Sequence, residues 1–301
     1  MDIRAILMGV FFAVMWASAF TSTRMIVTEV PPLFALALRF ALSGTLGIII
    51  ALMMGETWRA LTRVQWRAVV ILGLCQNALY LGLNWVAMQW IEAGLASIIA
   101  ATMPLIVALL GWLLMGERLR PLGVAGLALG LAGVAIIMGA RLQGGGSDPV
   151  GIGMCFAAAL ALAVATLTVR GASAGGNVMM IVGLQMLVGA ATLWIIAPLV
   201  EDWHVDPTPR LVGAFLYTVI VPGLVATWVW FKLVGRIGAV RAATFHFLTP
   251  FFGVATGAAL LGEQLAVGDV VGVGVIMAGI LAVQLSKAPA AVVPVRRAPP
   301  A

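Results

Sequence analysis

Charge is the scarcest feature of this sequence. Asp, Glu, Lys and Arg make up 9% of its 301 residues, against roughly 25% in a soluble domain. A water-soluble fold of this length cannot cover its surface with so few, so most of the surface faces lipid. Cysteine is nearly absent. Cys75 and Cys155 both fall inside apolar runs, which argues against a disulfide or a thiolate metal site and leaves them as small buried hydrophobes. No His/Cys/Asp cluster has metal-ligand spacing, no Walker-type phosphate loop occurs, and Gly-x-Ser-x-Gly and His-Glu-x-x-His are both missing. Nothing in the chain therefore points to a metal, a cofactor, ATP-driven pumping or hydrolase chemistry, and no catalytic residue is assigned. No Asp or Glu stands mid-run, which argues against a carboxylate proton path and leaves no anionic pocket for a multivalent cation.

What is present is apolar length. Hydrophobic residues reach 63% and the mean hydropathy is +1.13. A spanning helix takes about 20 residues, so the chain holds about ten with short loops and no sizeable soluble domain. The runs predict spans at 3–24, 33–54, 67–90, 93–115, 120–139, 150–170, 178–198, 210–232, 239–261 and 267–286. They are continuous rather than alternating, which speaks against strands. Pro31-Pro32, Asp148-Pro149 and Asp206-Pro207-Thr208-Pro209 punctuate helix starts. Ala17-Ser18-Ala19 resembles a signal-peptide cleavage site, but the run continues to Arg24 and is read as a retained first helix.

The net charge of +6 reads as membrane orientation and not as nucleic-acid binding. With both termini cytoplasmic, the inside loops and tails hold Arg4, Arg59, Arg63, Arg67, Arg118, Arg120, Arg170, Lys232, Arg236, Arg241, Lys287, Arg296 and Arg297. The outside loops hold only Arg24, Arg141 and Arg210, and Arg39 alone lies in a span. That asymmetry fits the positive-inside rule and an even number of spans. The final residues 288–301 read as a flexible cytoplasmic tail in contact with lipid.

The chain also repeats itself at an offset of 146. Met8, Arg24, Pro104, Gly111, Gly116-Glu117, Leu119, Gly126 and Gly133 match Met154, Arg170, Pro250, Gly257, Gly262-Glu263, Leu265, Gly272 and Gly279, while Arg39 faces Gln185. The expected organisation is a five-helix repeat over 1–143, a Gly-rich linker over 144–149 and a second five-helix repeat over 150–287. Five is odd, so the halves enter the membrane from opposite sides. An all-α fold of ten transmembrane helices, as two inverted repeats around a central cavity, is the architecture of many secondary carriers.

The matched segments are specific in kind. The stretch from Glu92 through Pro104 to Gly116-Glu117-Arg118-Leu119, its second copy from Gly238 to Gly262-Glu263-Gln264-Leu265, the start Trp16-Ala-Ser-Ala-Phe20…Arg24, and Pro32 followed by Arg39 together resemble the EamA family of the drug/metabolite transporter superfamily. The resemblance runs from about residue 5 to 285. Ala17 and Arg24 stand where the family has Gly and Lys. It implies ten helices, a central cavity and export of amino acids or related metabolites.

Individual residues carry competing readings. Pro104 and Pro250, inside spans, are packing kinks or paired hinges. Arg39 snorkels or makes a structural bond to helix-end carbonyls, or else is a ligand for a substrate carboxylate or a gating contact. His246 is a proton carrier, a substrate partner or a satisfied structural donor. Asn77, Tyr80 and Asn84 share one helix face, as interhelix glue or cavity lining. Trp16, Trp85, Trp228 and Trp230 are candidate aromatic walls, with Met103 and Thr166 beside them, while Trp58, Trp66, Trp90 and Trp203 suit interfacial belts. Glycine steps in the fifth and tenth spans favour close helix contact within the chain, or a dimer. The substrate cavity is thus expected from Trp16, Asn77, Tyr80, Asn84, Met103, Thr166, Trp228 and His246.

The expectation is a monomeric or weakly dimeric carrier in the inner (plasma) membrane, surrounded by lipid, exporting a neutral amino acid, aromatic above all, or another amphipathic metabolite or drug. A channel and an intramembrane enzyme are the competing classes. The enzyme needs a reactive pair at matching depth, and no such pair is evident.

Overall fold

The computed structural model describes residues 3–116, 120–144, 148–168, 176–237, 242, 244–264 and 267–286. Among them there is no strand. Nine helices are long and apolar enough to cross a membrane, and a shorter apolar one covers Phe245–Leu261. Glu117, Arg118, Arg170, Arg241, Lys287, the Gly145-Gly146 part of the linker and the tail 288–301 lie outside the described residues.

Local chemistry sets most helix starts. Helix α1 covers Ile3–Val27 and α2 covers Pro32–Met53, the latter opened by a proline whose fixed φ suits a first turn. Helix α3, Arg63–Ala87, starts four residues before the predicted 67 because Thr62 builds a capping box. Its Oγ1 accepts from the Gln65 N–H at 3.2 Å, and Gln65 Oε1 accepts from the Thr62 N–H at 2.9 Å. Helix α4 comprises Ala93–Ala101 and Met103–Met115. It is interrupted at Thr102 because Pro104 has no N–H to continue the ladder. Helix α5, Pro121–Gly144, runs past its predicted end at 139 and takes in Gly144, the first residue of the expected linker. Asp148 opens α6, Pro149–Thr168, accepting from the Val150 and Gly151 N–H groups at 2.7 and 3.1 Å. Helix α7 is Val178–Val200. Helix α8 is the sequence Pro209–Thr218, Val219–Val225, Ala226–Ile237. Helix α9 begins as a 3₁₀ turn, Thr244–Leu248, and continues as Thr249–Leu261. Helix α10 is Val267–Ser286.

Two helices widen mid-course into π-helical turns, Gly73–Leu81 in α3 and Val219–Val225 in α8. Such turns frequently mark functional sites. The second contains Pro222, which cannot donate to the regular ladder.

Glycines let two helix pairs approach backbone to backbone. Gly44 and Gly47 of α2 meet Gly183 of α7. Gly126 and Gly130 of α5 meet Gly279 of α10, and Gly133 meets Gly272. These steps close inside one chain, where small residues allow tight helix contact. The outer faces carry Ile49, Leu52, Leu113, Leu114, Ile195 and Leu199, all exposed, a surface suited to hydrocarbon rather than water.

The offset of 146 recurs in three dimensions. Thr62 caps α3 as Thr208 caps α8, accepting from the Leu211 N–H at 3.0 Å. The π turns correspond. The break at Thr102 answers the change from 3₁₀ to α at Leu248. Glu56 accepts from the Met180 N–H at 2.7 Å, and Glu201 from the Phe34 N–H at 3.1 Å; Phe34 and Met180 are themselves 146 residues apart.

Candidate functional site: a central cavity

The two π-bearing helices face a cavity of about 450 Å³, walled by segments of α1, α2, α3, α4, α6, α7, α8 and α9. This lies in the usual range of about 300–1,000 Å³ for small-molecule sites. Of the residues expected there, Trp16, Asn77, Tyr80, Asn84, Met103, Thr166 and His246 line it, joined by Arg39 and Trp85. Trp228 does not. It is 58% exposed on the outer side of α8, with Lys232 Nζ 5.7 Å from its ring centre. Trp230 takes its place on the wall. Two residues along a helix turn through about 200°, so the neighbours cannot share a face. Pro104 and Pro250 stand at the helix breaks, each the second residue of its helical segment, and do not line the cavity.

One wall is aromatic. The His246 ring is set among Phe12 at 5.2 Å, Trp16 at 5.8 Å and Trp230 at 5.2 Å, measured between ring centres. Edge-on contacts of this kind fix ring orientation. The imidazole is thus framed by rings, and no metal-ligand cluster of three or more His, Cys, Asp or Glu occurs among the described residues.

A second group of lining residues is polar and incompletely satisfied. Asn77 Nδ2 donates to the Gln185 carbonyl at 2.8 Å, which ties α3 to α7. Asn84 Nδ2 donates back to the Tyr80 carbonyl at 2.8 Å. Asn84 Oδ1 and Gln185 Oε1 are buried with no hydrogen-bond partner among the described residues. Arg39 is 8% exposed, and its Nε is likewise without a partner. The guanidinium lies over the rings of Phe40 and Trp85, 5.5 and 5.8 Å from their centres, within cation–π range. Among the described residues no hydrogen bond joins it to a helix-end carbonyl, and the two rings are its contacts. None of the described Asp or Glu residues lines the cavity.

Beyond the Thr23–Met88 end of the cavity, side chains cross between helices. Arg24 of α1 donates to the Met88 carbonyl after α3. Thr208 donates to Glu29 at 2.7 Å. Glu201 accepts from the Leu33 and Phe34 amides opening α2, at 2.9 and 3.1 Å. Glu263 accepts from the Ala93 and Gly94 amides opening α4, at 2.6 and 2.9 Å. Carboxylates at helix N-termini meet free N–H groups and the positive end of the dipole. Burial nevertheless holds both carboxyls above the ordinary range, outweighing the pull of those amides.

Several of these residues were not foreseen. Phe12, Phe40 and Met88 read as generic apolar positions, and nothing local marks them, while Phe20 belongs to the Trp16…Arg24 segment without a role of its own. Gln185 carried a signal as the counterpart of Arg39. Glu263 carried one as the counterpart of Glu117.

The interior cavity is thus shared by helices from both halves of the chain. The EamA-like transporter family model matches residues 3–139 and again 149–285, and the chain belongs to that family. It is 27% identical over 278 residues to "Uncharacterized transporter YvbV" of Bacillus subtilis (strain 168), covering 92% of this chain and 90% of that one. It is also 27% identical over 287 residues to "Uncharacterized inner membrane transporter YedA" of Escherichia coli (strain K12), covering 93% and 91%. A solved crystal structure superposes with a TM-score of 0.68 at 23% identity, over 95% of this chain and 98% of the other, which establishes the fold alone. The chain is therefore a multi-pass membrane transporter, and its family is one of transporters.

Proposed function

We propose that this transporter is a secondary carrier that exports amphipathic small solutes by alternating access. Neutral amino acids with aromatic or hydrophobic side chains are the first class to test, and other amphipathic metabolites or drugs the second. The observation that carries this reading is the cavity itself, whose lining combines amide and guanidinium groups with Trp, Phe and His rings. Polar ends and apolar bodies of a solute would each find a surface there.

The halves 1–143 and 150–287 are read as inverted repeats. The shared offset of caps, π turns and helix breaks supports this, as does the odd number of helices in each half. Both termini are placed in the cytoplasm of the inner membrane on the distribution of Arg and Lys. On that orientation the Arg24, Glu201 and Glu263 contacts lie at the outer ends of the helices. The test is counterflow of radiolabelled phenylalanine, tryptophan and leucine in proteoliposomes. Saturable uptake accelerated by unlabelled solute on the opposite side is expected. Flux no greater than in empty vesicles for every neutral amino acid would sink the amino-acid reading, and single-channel conductance in planar bilayers would sink the carrier.

A further inference from the structure

Among the described residues that line the cavity, Arg39 alone carries a formal charge and no Asp or Glu answers it. Arg39 is nine-tenths buried, lines the cavity, and has an Nε donor with no partner. Its guanidinium is held by the faces of Phe40 and Trp85, which leaves its N–H edge for hydrogen bonding. Ring stacking of this kind presents a planar donor fork, the geometry that accepts a carboxylate. A buried guanidinium without a counter-charge is costly, and whatever neutralises it binds at an advantage.

The charge balance discriminates among ligands with the same body. A monoanion brings the occupied site to neutrality. A zwitterion leaves it at plus one, because its ammonium finds only neutral acceptors, Asn84 Oδ1 and Gln185 Oε1. A cation raises it to plus two. The two free carbonyl oxygens suit a hydroxyl or an uncharged N–H on the solute, and the aromatic wall around His246 suits its apolar part.

We infer that Arg39 is an anion seat and that the cavity prefers an aromatic or branched monocarboxylate over the corresponding amino acid. This rests on the reading of the cavity as the transport site, and it moves the preferred substrate from zwitterion to organic anion.

Three probes sharing a phenylethyl body separate the cases: 3-phenylpropanoate, phenylalanine and phenethylamine. Binding to the purified full-length protein in detergent is followed by tryptophan fluorescence, since Trp16, Trp85 and Trp230 line the site. The expected order of affinity is phenylpropanoate, then phenylalanine, then phenethylamine. Arg39→Gln should weaken phenylpropanoate at least about tenfold, as for the loss of one partner from a desolvated charge pair, and flatten the order. Arg39→Lys should keep the order in weaker form. If Arg39→Gln does not fold, the wild-type order and Arg39→Lys still decide. Absence of phenylpropanoate binding, equal or tighter binding of either amine, or an order unchanged by Arg39→Gln overturns the inference. Counterflow of the same probes separates the two proposals. Arg39-dependent binding without flux sinks the carrier and leaves the anion seat, whereas phenylalanine flux with no preference for the anion does the reverse.

Discussion

Two substitutions of the same kind on α10 should move stability in opposite directions. A Cβ added at Gly279 would lie 2.5 Å from Gly130 N, 2.6 Å from Gly130 Cα and 2.7 Å from Gly126 O. All three obstacles are backbone of α5, and ordinary contact begins near 3.4 Å, so the helices must part by about 0.9 Å. They cannot do so locally, because Gly133 meets Gly272 two turns away along the same seam. Overpacking a tight contact costs about 1–3 kcal/mol and more where nothing can rotate aside, while Gly→Ala in a helix returns about 0.8–1.0 kcal/mol. The net effect of Gly279→Ala is a loss of about 2 kcal/mol, which lowers Tm by roughly 4–8 °C. At Gly274, on the same helix, an added Cβ meets nothing within 4 Å. Gly274→Ala keeps only the propensity gain of about 1 kcal/mol and should raise Tm by about 2 °C or more. Thermal unfolding of the detergent-solubilised protein, followed by loss of the monodisperse peak in size exclusion, reads both. A Tm for Gly279→Ala at or above wild type would refute the backbone contact between α5 and α10.

Other outcomes follow from the cavity and from the Glu263 contacts. Trp230→Ala should cut solute binding and flux at least about tenfold, as for an aromatic anchor, while the exposed Trp228→Ala should leave both within about twofold; equal effects would contradict the placement of the two rings. Pro104→Ala restores an N–H at the α4 break and should slow counterflow several-fold with Tm changed by less than about 2 °C, unless the proline is merely a packing kink, in which case flux stays unchanged. Glu263 has a folded-state pKa raised by burial, so the folded protein holds that proton more tightly than the unfolded chain. Its stabilising contribution is greatest below the ordinary Glu value and is lost as pH rises through the raised one. The Tm of wild type relative to Glu263→Gln should therefore fall from about pH 4, near the ordinary Glu value, to about pH 8, and a rise relative to the variant with pH would reverse the assigned cause.

Much of the fold can be read from single stretches of sequence because membranes impose simple rules. Continuous apolar length locates the spans, and Asp148-Pro149 or Pro31-Pro32 fixes a start within a residue or two. The capping box of Thr62 and Gln65 was equally local, and overlooking it misplaced the start of α3. The π turns are different. They insert an extra residue per turn, which persists only when neighbouring helices accommodate the bulge, and no short motif encodes that. The Trp228 assignment failed nearby, since both tryptophans are apolar and follow Pro222 closely. Arg39 was ambiguous for a related reason. The sequence places a guanidinium at depth, but whether a helix-end carbonyl lies within reach depends on how α2 packs against α3 and α7.

The offset of 146 separates framework from chemistry. Where matched positions do structural work they agree: Thr62 with Thr208, Gly126 with Gly272, Gly133 with Gly279, Pro104 with Pro250. Where matched positions both line the cavity they diverge: Arg39 with Gln185, Asn77 with Gly223, Asn84 with Trp230, Trp16 with Leu162, Phe20 with Thr166. A duplicated scaffold would by itself give a cavity with two equivalent walls. Substitution at these pairs has removed that equivalence: the first half contributes Arg39, Asn77 and Asn84, and the second places Trp230 where the first has Asn84. A solute with a polar head and an apolar body then has one preferred orientation, head toward Arg39 and body toward Trp230. On the proposed inverted arrangement, exchanging the packings of the two halves changes which side the cavity opens to without changing which wall bears the charge. The solute can therefore keep its orientation relative to Arg39 while its access switches, and binding specificity is uncoupled from the direction of opening.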